Sequence, residues 1–475
     1  MSARAYAPLV AALMLSACAV GPDYVVPPSP GGPAPSLTEA DAATTTPTPL
    51  PAQWWRLFGD PVLDGLVTRA LERNTDLRVA AANLQRARAL TSEARAGRLP
   101  STTLNAQYVR QRFGGQVFNS VGNVPVVTTD FFTTGIDASY EVDLFGGVSR
   151  AVRAAIADEQ AARAQVDAAR VAVAAEVAQT YAQGCSLAVR VRTAEETVAL
   201  TRRSLTLVES TTTVGYTDRR DLAAARTALA QAEAALPQLV AERRASLYAL
   251  AFLTGDPPED VSEPAANCLA VPGLAAPLPV GDGQALLARR PDIRAAERTL
   301  AADTERVGVA VAALYPQIRL LGTPSLGAAR VGDLGSSASF GFSIGPAISW
   351  NFPFNGAARA QVRAAKADTE ASLARFDAAV LAALQETEQA LARLTGALAA
   401  EARLRDAADA AKETARLTEL RFKAGSDDAL RLIEAQRQWR AAEAAFAEAA
   451  GARAAAQVGV FRALGGGWES PESGG

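Results

Sequence analysis

The sequence predicts a mainly helical fold with a small β part. It is built from one unit of helix, β-hairpin, long helix and half-length return helix that occurs twice. Three glycines of the first half recur 210 residues later in the second half, with Gly146, Gly215 and Gly255 matched by Gly356, Gly425 and Gly465. Apolar and polar residues alternate before the first glycine of each set, and helical patterns follow it. The duplication therefore sets the order of elements in both halves.

Composition limits the class of protein. The 475 residues are 49% hydrophobic, which is enough for a large buried core. A net charge of −3 provides no basic surface, so we expect no nucleic-acid partner. The sequence has no histidine, the commonest general base and metal ligand, and it contains no nucleophile–base pair or phosphate loop. We therefore expect no catalytic residues, no cofactor and no metal site.

The N-terminus has the pattern of an export signal. Arg4 supplies positive charge, residues 9–15 are mostly apolar, and Leu-Ser-Ala precedes Cys18 in a way that resembles a bacterial lipobox. We expect residues 1–17 to be a signal peptide and Cys18 to carry lipid; the alternative is ordinary cleavage, with Cys18 incidental. Residues 18–52 are rich in proline, threonine and alanine, which predicts an extended tether to the membrane.

Export also concerns the two remaining cysteines, Cys185 and Cys268. In an oxidising compartment they are a candidate disulfide. The alternative is a pair of buried free thiols.

Helix lengths fit one another within each copy. A long helix of about 100 Å is matched by the return helix plus the helix before the hairpin, which begins near residue 67 or 283. We therefore expect a helical cylinder with the hairpins at one end and the Gly215 and Gly425 turns at the other. The expected long and return helices are 148–214 and 218–254 in repeat 1 (53–255), and 357–424 and 427–464 in repeat 2 (283–465). Residues 256–282 form the linker and residues 466–475 the tail.

Each copy contains one predicted hairpin, over residues 102–145 and 317–354. The strands are long enough to cross a bilayer, but four strands cannot close a barrel and an open edge is not viable in lipid. The barrel must then be shared between chains. The alternative is a soluble β-layer. Pro324 and Pro346 lie within the second hairpin. Because proline has no backbone N–H, each requires a position where the sheet needs no hydrogen-bond donor.

Strict alternation assigns faces to the first hairpin's return strand. Asp137, Glu141 and Asp143 alternate with apolar residues and are expected to face a lumen. Tyr140 and Trp350 occupy equivalent positions of the two copies and suit an aromatic belt at a membrane interface.

Several short motifs together resemble the outer membrane factors of tripartite efflux systems. They are CAVGPDY (18–24), WWRLFGDP (54–61), DLFGG (143–147), RRPDI (289–293) and PFNG (353–356). The chain is most similar to the NodT-type lipoproteins related to TolC. The resemblance implies a homotrimer whose 12-stranded outer-membrane β-barrel continues into a 12-helix periplasmic α-barrel. It implies a lipid-anchored location in the outer membrane, in contact with its lipid.

The resemblance also implies partners and a function. The partners are a periplasmic adaptor (membrane fusion) protein and an inner-membrane pump of the resistance-nodulation-division (RND) type. The function is a passive exit duct for drugs or other small molecules. Alternatives are a duct for metal-ion efflux or type I secretion, a non-conducting structural lipoprotein, and a periplasmic coiled-coil adaptor, although the chain lacks the β halves that an adaptor needs.

In the family, the start of the second return helix carries the periplasmic gate. The positions that match are Leu430, Glu434 and Arg437, with Glu434 where the family usually has Asp. Steps of four and three place them on one helical face, where crowded Glu434 carboxylates would favour protonation or cation capture. The alternative is an exposed ion pair between Glu434 and Arg437.

The turn at Gly215 in the first copy offers a second set of gate candidates. There Asp218, Arg220 and Asp221 would form links that hold the closed end. The simpler interpretation is a helix N-cap with acidic residues near the positive helix end.

Overall fold

The computed structural model describes residues 20–30, 32, 37–41, 43–113, 127–215, 218–274, 276–281, 283–350, 352 and 356–466. Within these ranges the chain forms nine helices and one four-stranded sheet, together with short 3-10 turns and a two-residue parallel strand pair. The order of helices, hairpin, long helix and return helix occurs twice. The predicted fold class is therefore confirmed in its mainly helical character and its duplicated unit.

The long helices and return helices begin and end near the repeated glycines of the sequence. The helices are α1 Pro61–Arg73, α2 Thr75–Ala96, α3 Gly147–Thr213, α4 Arg219–Thr254, α5 Glu263–Ala266, α6 Gly283–Arg289, α7 Pro291–Ala312, α8 Gly356–Lys423 and α9 Ala429–Ala463. The strands are β1 Ser101–Phe113, β2 Val127–Val142, β3 Gln317–Ala328 and β4 Phe340–Ser349. None of the described helices contains a stretch both long and apolar enough to cross a membrane.

The helix expected before each hairpin is two helices rather than one. In the first copy Asn74 stops α1 with an extended ψ of 136°, and its Oδ1 accepts from the backbone N–H of Asp76 (2.9 Å) at the start of α2. In the second copy Pro291 begins α7, and a proline disfavours helical geometry in the residue before it, here Arg290. The continuous helices starting near 67 and 283 were thus wrong in this detail.

The chain forms two compact units. One comprises Met1–Pro27, Leu84–Ala162 and Ala296–Phe376 and holds the sheet. The other comprises Pro28–Asn83, Arg163–Ala295 and Asp377–Gly475. We call these the sheet unit and the core unit, respectively.

The sheet unit contains strands in the order β1-β2-β3-β4, all antiparallel. Tyr140 on β2 lies opposite Leu320 on β3, which lies opposite Pro346 on β4. Pairing between β2 and β3 skips the two positions that include Pro324 and resumes at Gly322. Both prolines therefore occupy positions where the missing backbone N–H removes few inter-strand hydrogen bonds. For Pro346 the reason is that β4 pairs with only one described strand.

Both second strands end earlier than predicted. β2 stops at Val142 instead of 145, because Asp143 turns away to accept from the backbone N–H groups of Val148 (2.9 Å) and Ser149 (2.8 Å) at the start of α3. β4 stops at Ser349, and residues 353–355 at the predicted end lie outside the described part of the chain.

The core unit is organised around Trp54. This side chain has no exposed surface and stacks on Phe461 of α9, with ring centroids 4.7 Å apart. The core also takes Val67 of α1 and Val177 of α3, both fully buried. Tyr181 of α3 donates from its hydroxyl to a carboxylate oxygen of Asp60 (2.8 Å), next to the N-terminus of α1. The tryptophan motif at 54–61 is therefore a packing element.

Candidate functional site

One face of the sheet is apolar and exposed. The register places the even-numbered residues of all four strands on this face. Exposure reaches 82% at Ile344. The exposed members of the band are Leu104, Tyr108, Ile136, Tyr140, Leu320, Phe340, Phe342, Ile344 and Ile348. A contiguous apolar band of this kind marks a contact with a membrane or a partner.

The other face is polar and carries two of the three predicted lumen acids. Asp137 accepts a hydrogen bond from the side-chain amide of Asn105 on β1. Glu141 lies 3.7 Å from the guanidinium of Arg319 on β3. Asp143 was wrongly placed on this face: it lies beyond the strand, and its carboxylate caps α3. The polar face is thus a row of neutralised or hydrogen-bonded charges.

Aromatic rings gather where the strands meet the helices. Trp350, one residue after β4, donates from Nε1 to the backbone oxygen of Leu314 (3.0 Å) and stacks on Phe352 at 4.5 Å. Phe145 stacks on Tyr315 with centroids 4.7 Å apart. Tyr140 lies on the apolar face near the end of β2. Aromatic residues near the ends of strands suit a membrane interface.

The predicted gate residues lie together in the first turns of α9. Leu430 is 43% exposed. Arg437 donates to both carboxylate oxygens of Glu434, at 2.9 and 2.7 Å, and Gln438 donates to the same carboxylate at 2.9 Å. These hydrogen bonds, Arg437's above all, lower the pKa of Glu434 below its usual range. Within one chain this is the exposed ion pair of the simpler interpretation, and the direction is opposite to that of a crowded, protonated carboxylate.

In the connection between α3 and α4, the residues that follow Gly215 cap the start of α4. Asp218 accepts from the backbone N–H groups of Arg220 (2.7 Å) and Asp221 (3.0 Å). The hydrogen bond from the Asp221 backbone is the main cause that lowers the pKa of Asp218. The guanidinium of Arg220 lies 3.7 Å from the Asp221 carboxylate. Within the chain these contacts are local, as the N-cap interpretation predicts.

Two polar links near the predicted gate residues could not be found from the sequence. Ser204 of α3 donates to the side-chain oxygen of Gln436 on α9 (2.7 Å), and Arg440 of α9 binds Glu196 of α3 (3.1 Å). They border a cavity of about 440 Å³ between α3, α4 and α9. Each joins residues more than 230 positions apart in the chain, so no local sequence pattern reports it.

The two inner cysteines are joined. Cys185 of α3 is fully buried in the core unit and forms a disulfide with Cys268, with a Cα–Cα distance of 5.3 Å. The bond ties the segment between α5 and α6 to the long helix. Cys18, the candidate lipid site, lies outside the described residues.

The expected N-terminal tether is docked where the structure describes it. The backbone N–H groups of Thr38 and Glu39 donate to the carboxylate of Glu388 at 2.7 and 2.9 Å. Thr45–Thr46 pairs in parallel with Leu278–Pro279. These contacts use the main chain and therefore leave no pattern of side chains in the sequence.

Comparison with known proteins gives a consistent result. The model of the family described as outer membrane efflux protein matches residues 66–256 and 283–466. The chain is 31% identical to the pyoverdine export outer membrane protein OpmQ of Pseudomonas aeruginosa, over all of this chain and 99% of that protein. It is 29% identical to nodulation protein T of Rhizobium leguminosarum bv. trifolii, over 92% of each chain.

Solved structures are similar over nearly the whole chain. The outer-membrane channel OprN aligns with a TM-score of 0.89 and 34% identity, covering 95% of this chain and all of that one. The open state of the MtrE channel of Neisseria gonorrhoeae aligns with a TM-score of 0.78 and 31% identity, covering 95% and 99%.

Proposed function

The chain belongs to the outer membrane efflux protein family, and from this premise we propose that it is the outer-membrane channel of a tripartite efflux pump. It conducts drugs or other small molecules passively from the periplasm to the exterior. The observation that carries the proposal is the sheet with one exposed apolar face and one polar face. Such a sheet separates lipid from water, which is what the wall of a pore does.

Completion of the wall requires other copies. Among the described residues, β1 pairs only with β2 and β4 only with β3, so each copy presents two open edges. Unpaired backbone groups cost several kcal/mol each in a bilayer, and closed barrels avoid them. We infer that β1 of one copy pairs with β4 of the next. Three copies give the twelve strands of the family's homotrimer, with the long helices forming the twelve-helix periplasmic barrel.

A duct has no energy source of its own. Its transport direction must come from an inner-membrane pump, and a periplasmic adaptor must join the two. We assign these partner classes, with a pump of the RND type, because the family works in such systems. The adaptor alternative for this chain itself does not hold, since both matched segments belong to the outer membrane efflux family.

Lipid at Cys18 would hold the mature N-terminus to the outer membrane. Several acyl chains, at about 0.8 kcal/mol per buried methylene, give stable anchoring. The intact mass of the purified mature chain tests this: acyl mass on Cys18 supports the anchor, and an unmodified cysteine or a cleavage site elsewhere contradicts it.

The gate is proposed at Leu430, Glu434 and Arg437. In a trimer the three exposed Leu430 side chains can meet at the axis and exclude water. Above them, three Glu434–Arg437 pairs would form a ring of alternating charge, because Arg437 holds Glu434 ionised. Links such as Arg440–Glu196 then hold α9 against α3 in the closed arrangement.

We expect Leu430→Ala combined with Glu434→Ala to open the channel. Loss of apolar contact in the ring, about 1 kcal/mol per subunit, shifts the closed–open balance by about tenfold or more. Single-channel conductance in planar bilayers and antibiotic leakage in cells should both rise.

The matched control is Glu413→Ala on α8, which removes an exposed pair with Arg416 that has the same three-residue spacing and nearly the same distances, 2.8 and 2.7 Å. It should conduct like the wild type. Conductance of the double variant equal to that of a conducting wild type would show that the gate lies elsewhere, and absence of conductance in both proteins would favour a structural lipoprotein.

A further inference from the structure

A buried arginine holds the segment that follows Cys18. We call residues 20–24 the N-terminal strap. Arg150, in the first turn of α3, donates from Nη1 to the backbone oxygen of Pro22 (2.8 Å) and from Nη2 to that of Gly21 (3.3 Å). Its Nη2 also lies 2.8 Å from the carboxylate of Asp23. Three consecutive strap residues are therefore bound by one guanidinium.

The cost of placing this charge is high. Arg150 is 1% exposed, and burying an arginine is unfavourable unless its donors are used. Its position near the N-terminus of α3 adds repulsion from the helix dipole. Glu305 of α7 provides a compensating charge at 3.0 Å, and the remaining acceptors come from the strap. Arg150 would thus be poorly satisfied if the strap left.

The strap also fits α7 by shape. Gly21 has a φ of +98°, and a Cβ on it would lie 2.6 Å from the Cα of Gly308. A Cβ on Gly308 would in turn lie 2.8 Å from Cδ of Arg150. The two glycines therefore allow backbone to pass close to backbone, and the absence of a side chain on Gly308 leaves room for the arginine side chain. A non-glycine residue at either position cannot take this arrangement without displacement.

Tyr24 closes the strap. Its hydroxyl donates to Glu297 (2.7 Å), the guanidinium of Arg298 lies 5.7 Å from its ring centroid, and the ring packs on a cluster of buried alanines. At the other end the N–H of Val20 donates to the backbone oxygen of Phe145 (3.3 Å), between β2 and α3. The strap thus covers the junction where the strand becomes the long helix.

The internal duplication provides a control for these residues. The second copy has Ala360 where the first has Arg150. The bounds of α2 and α7 differ by 216 residues at both ends, and on that offset the first copy has Ala89, Ser92 and Ala81 where the second has Glu305, Gly308 and Glu297. The unit was duplicated, but the charged and glycine positions that bind the strap occur together once only. They are therefore not requirements of the repeat itself.

We propose that Arg150, Glu305 and Gly308 form a peptide-binding site that is occupied in cis by residues 20–24. The site fixes the start of the mature chain to the sheet–helix junction. Anything attached to the N-terminus, including a membrane anchor, is then held at that junction rather than on a free tether. The site is independent of whether Cys18 carries lipid.

Chymotrypsin cleavage after Tyr24 in the full-length protein in detergent tests the site. Arg150→Ala removes the receptor, and Gly21→Ala dislodges the strap without changing charge. Each should speed cleavage by about tenfold or more, since bonds to a charged group are lost or a close backbone contact is broken. Arg153→Ala is the control: Arg153 binds the same Glu305 carboxylate (3.3 Å) but is 46% exposed, and its loss should leave cleavage unchanged.

Appearance of the fragment that begins at Val25 is followed by mass spectrometry. Wild-type cleavage rates in Gly21→Ala would overturn the proposal, even if Arg150→Ala fails to accumulate. Equal acceleration by Arg153→Ala would also overturn it, because the effect would then not depend on the bonds between Arg150 and the strap. Conductance of the same preparations reports separately on the channel function.

Discussion

Ile344→Arg is expected to abolish assembly in the outer membrane, while Ser343→Arg, one residue away, should be tolerated. Ile344 lies on the apolar face and is 82% exposed in the single chain, so an arginine meets no steric obstacle there. If that face contacts lipid, each substitution costs about 2–4 kcal/mol near the bilayer centre. Three copies multiply the cost, which exceeds what a marginally stable assembly tolerates.

The comparison isolates the lipid contact because Ser343 points to the polar face of the same strand. Outer-membrane fractionation of both variants, with detection of the assembled oligomer, measures the effect. Normal assembly of Ile344→Arg, or equal loss in both variants, would mean that the apolar face does not contact lipid.

Removal of the disulfide is expected to lower the stability of the core unit strongly. The bond closes a loop across 83 positions, and loop-closure entropy for that length gives about 4.5 kcal/mol. Cys185 is fully buried, and alanine places no polar group there, so the double variant Cys185→Ala with Cys268→Ala reports mainly on loss of the bond. Denaturant unfolding should show a clearly lower midpoint for the double variant.

Reductant supplies the internal control. It should bring the wild type to the midpoint of the double variant and leave the variant itself unchanged. Cys18 is retained in both proteins, so the N-terminus is the same. A wild-type midpoint equal to that of the variant without reductant would show that the bond contributes nothing to stability.

Local patterns in the sequence were enough for the repeat, the long helices and the faces of the sheet. Glycines at 146, 215 and 255 mark changes of period, and their copies repeat the signal. The motif resemblance is confirmed by the family match. Asp143 shows the limit of this reasoning: it continues the alternation of β2 by one step, yet it serves as a helix cap. Period-two alternation does not distinguish the last residue of a strand from the residue that caps the following helix.

Long-range polar contacts could not be predicted in the same way. Arg440 meets Glu196, and Arg150 meets the strap, through folding of segments far apart in sequence. The backbone contacts of Thr38 and Glu39 with Glu388 leave no periodic pattern of side chains in the sequence. One signal was available for Arg150, because its counterpart in the second copy is Ala360. A residue that differs between the two copies of an internal repeat can therefore have a function specific to one copy.

The number of copies in the detergent-solubilised protein tests the central claim most directly. Native mass spectrometry of the mature chain should give a single species of three subunits, because two hairpins per subunit leave edges that only neighbouring copies can cover. A stable species of one subunit, with its strands retained, would contradict the account.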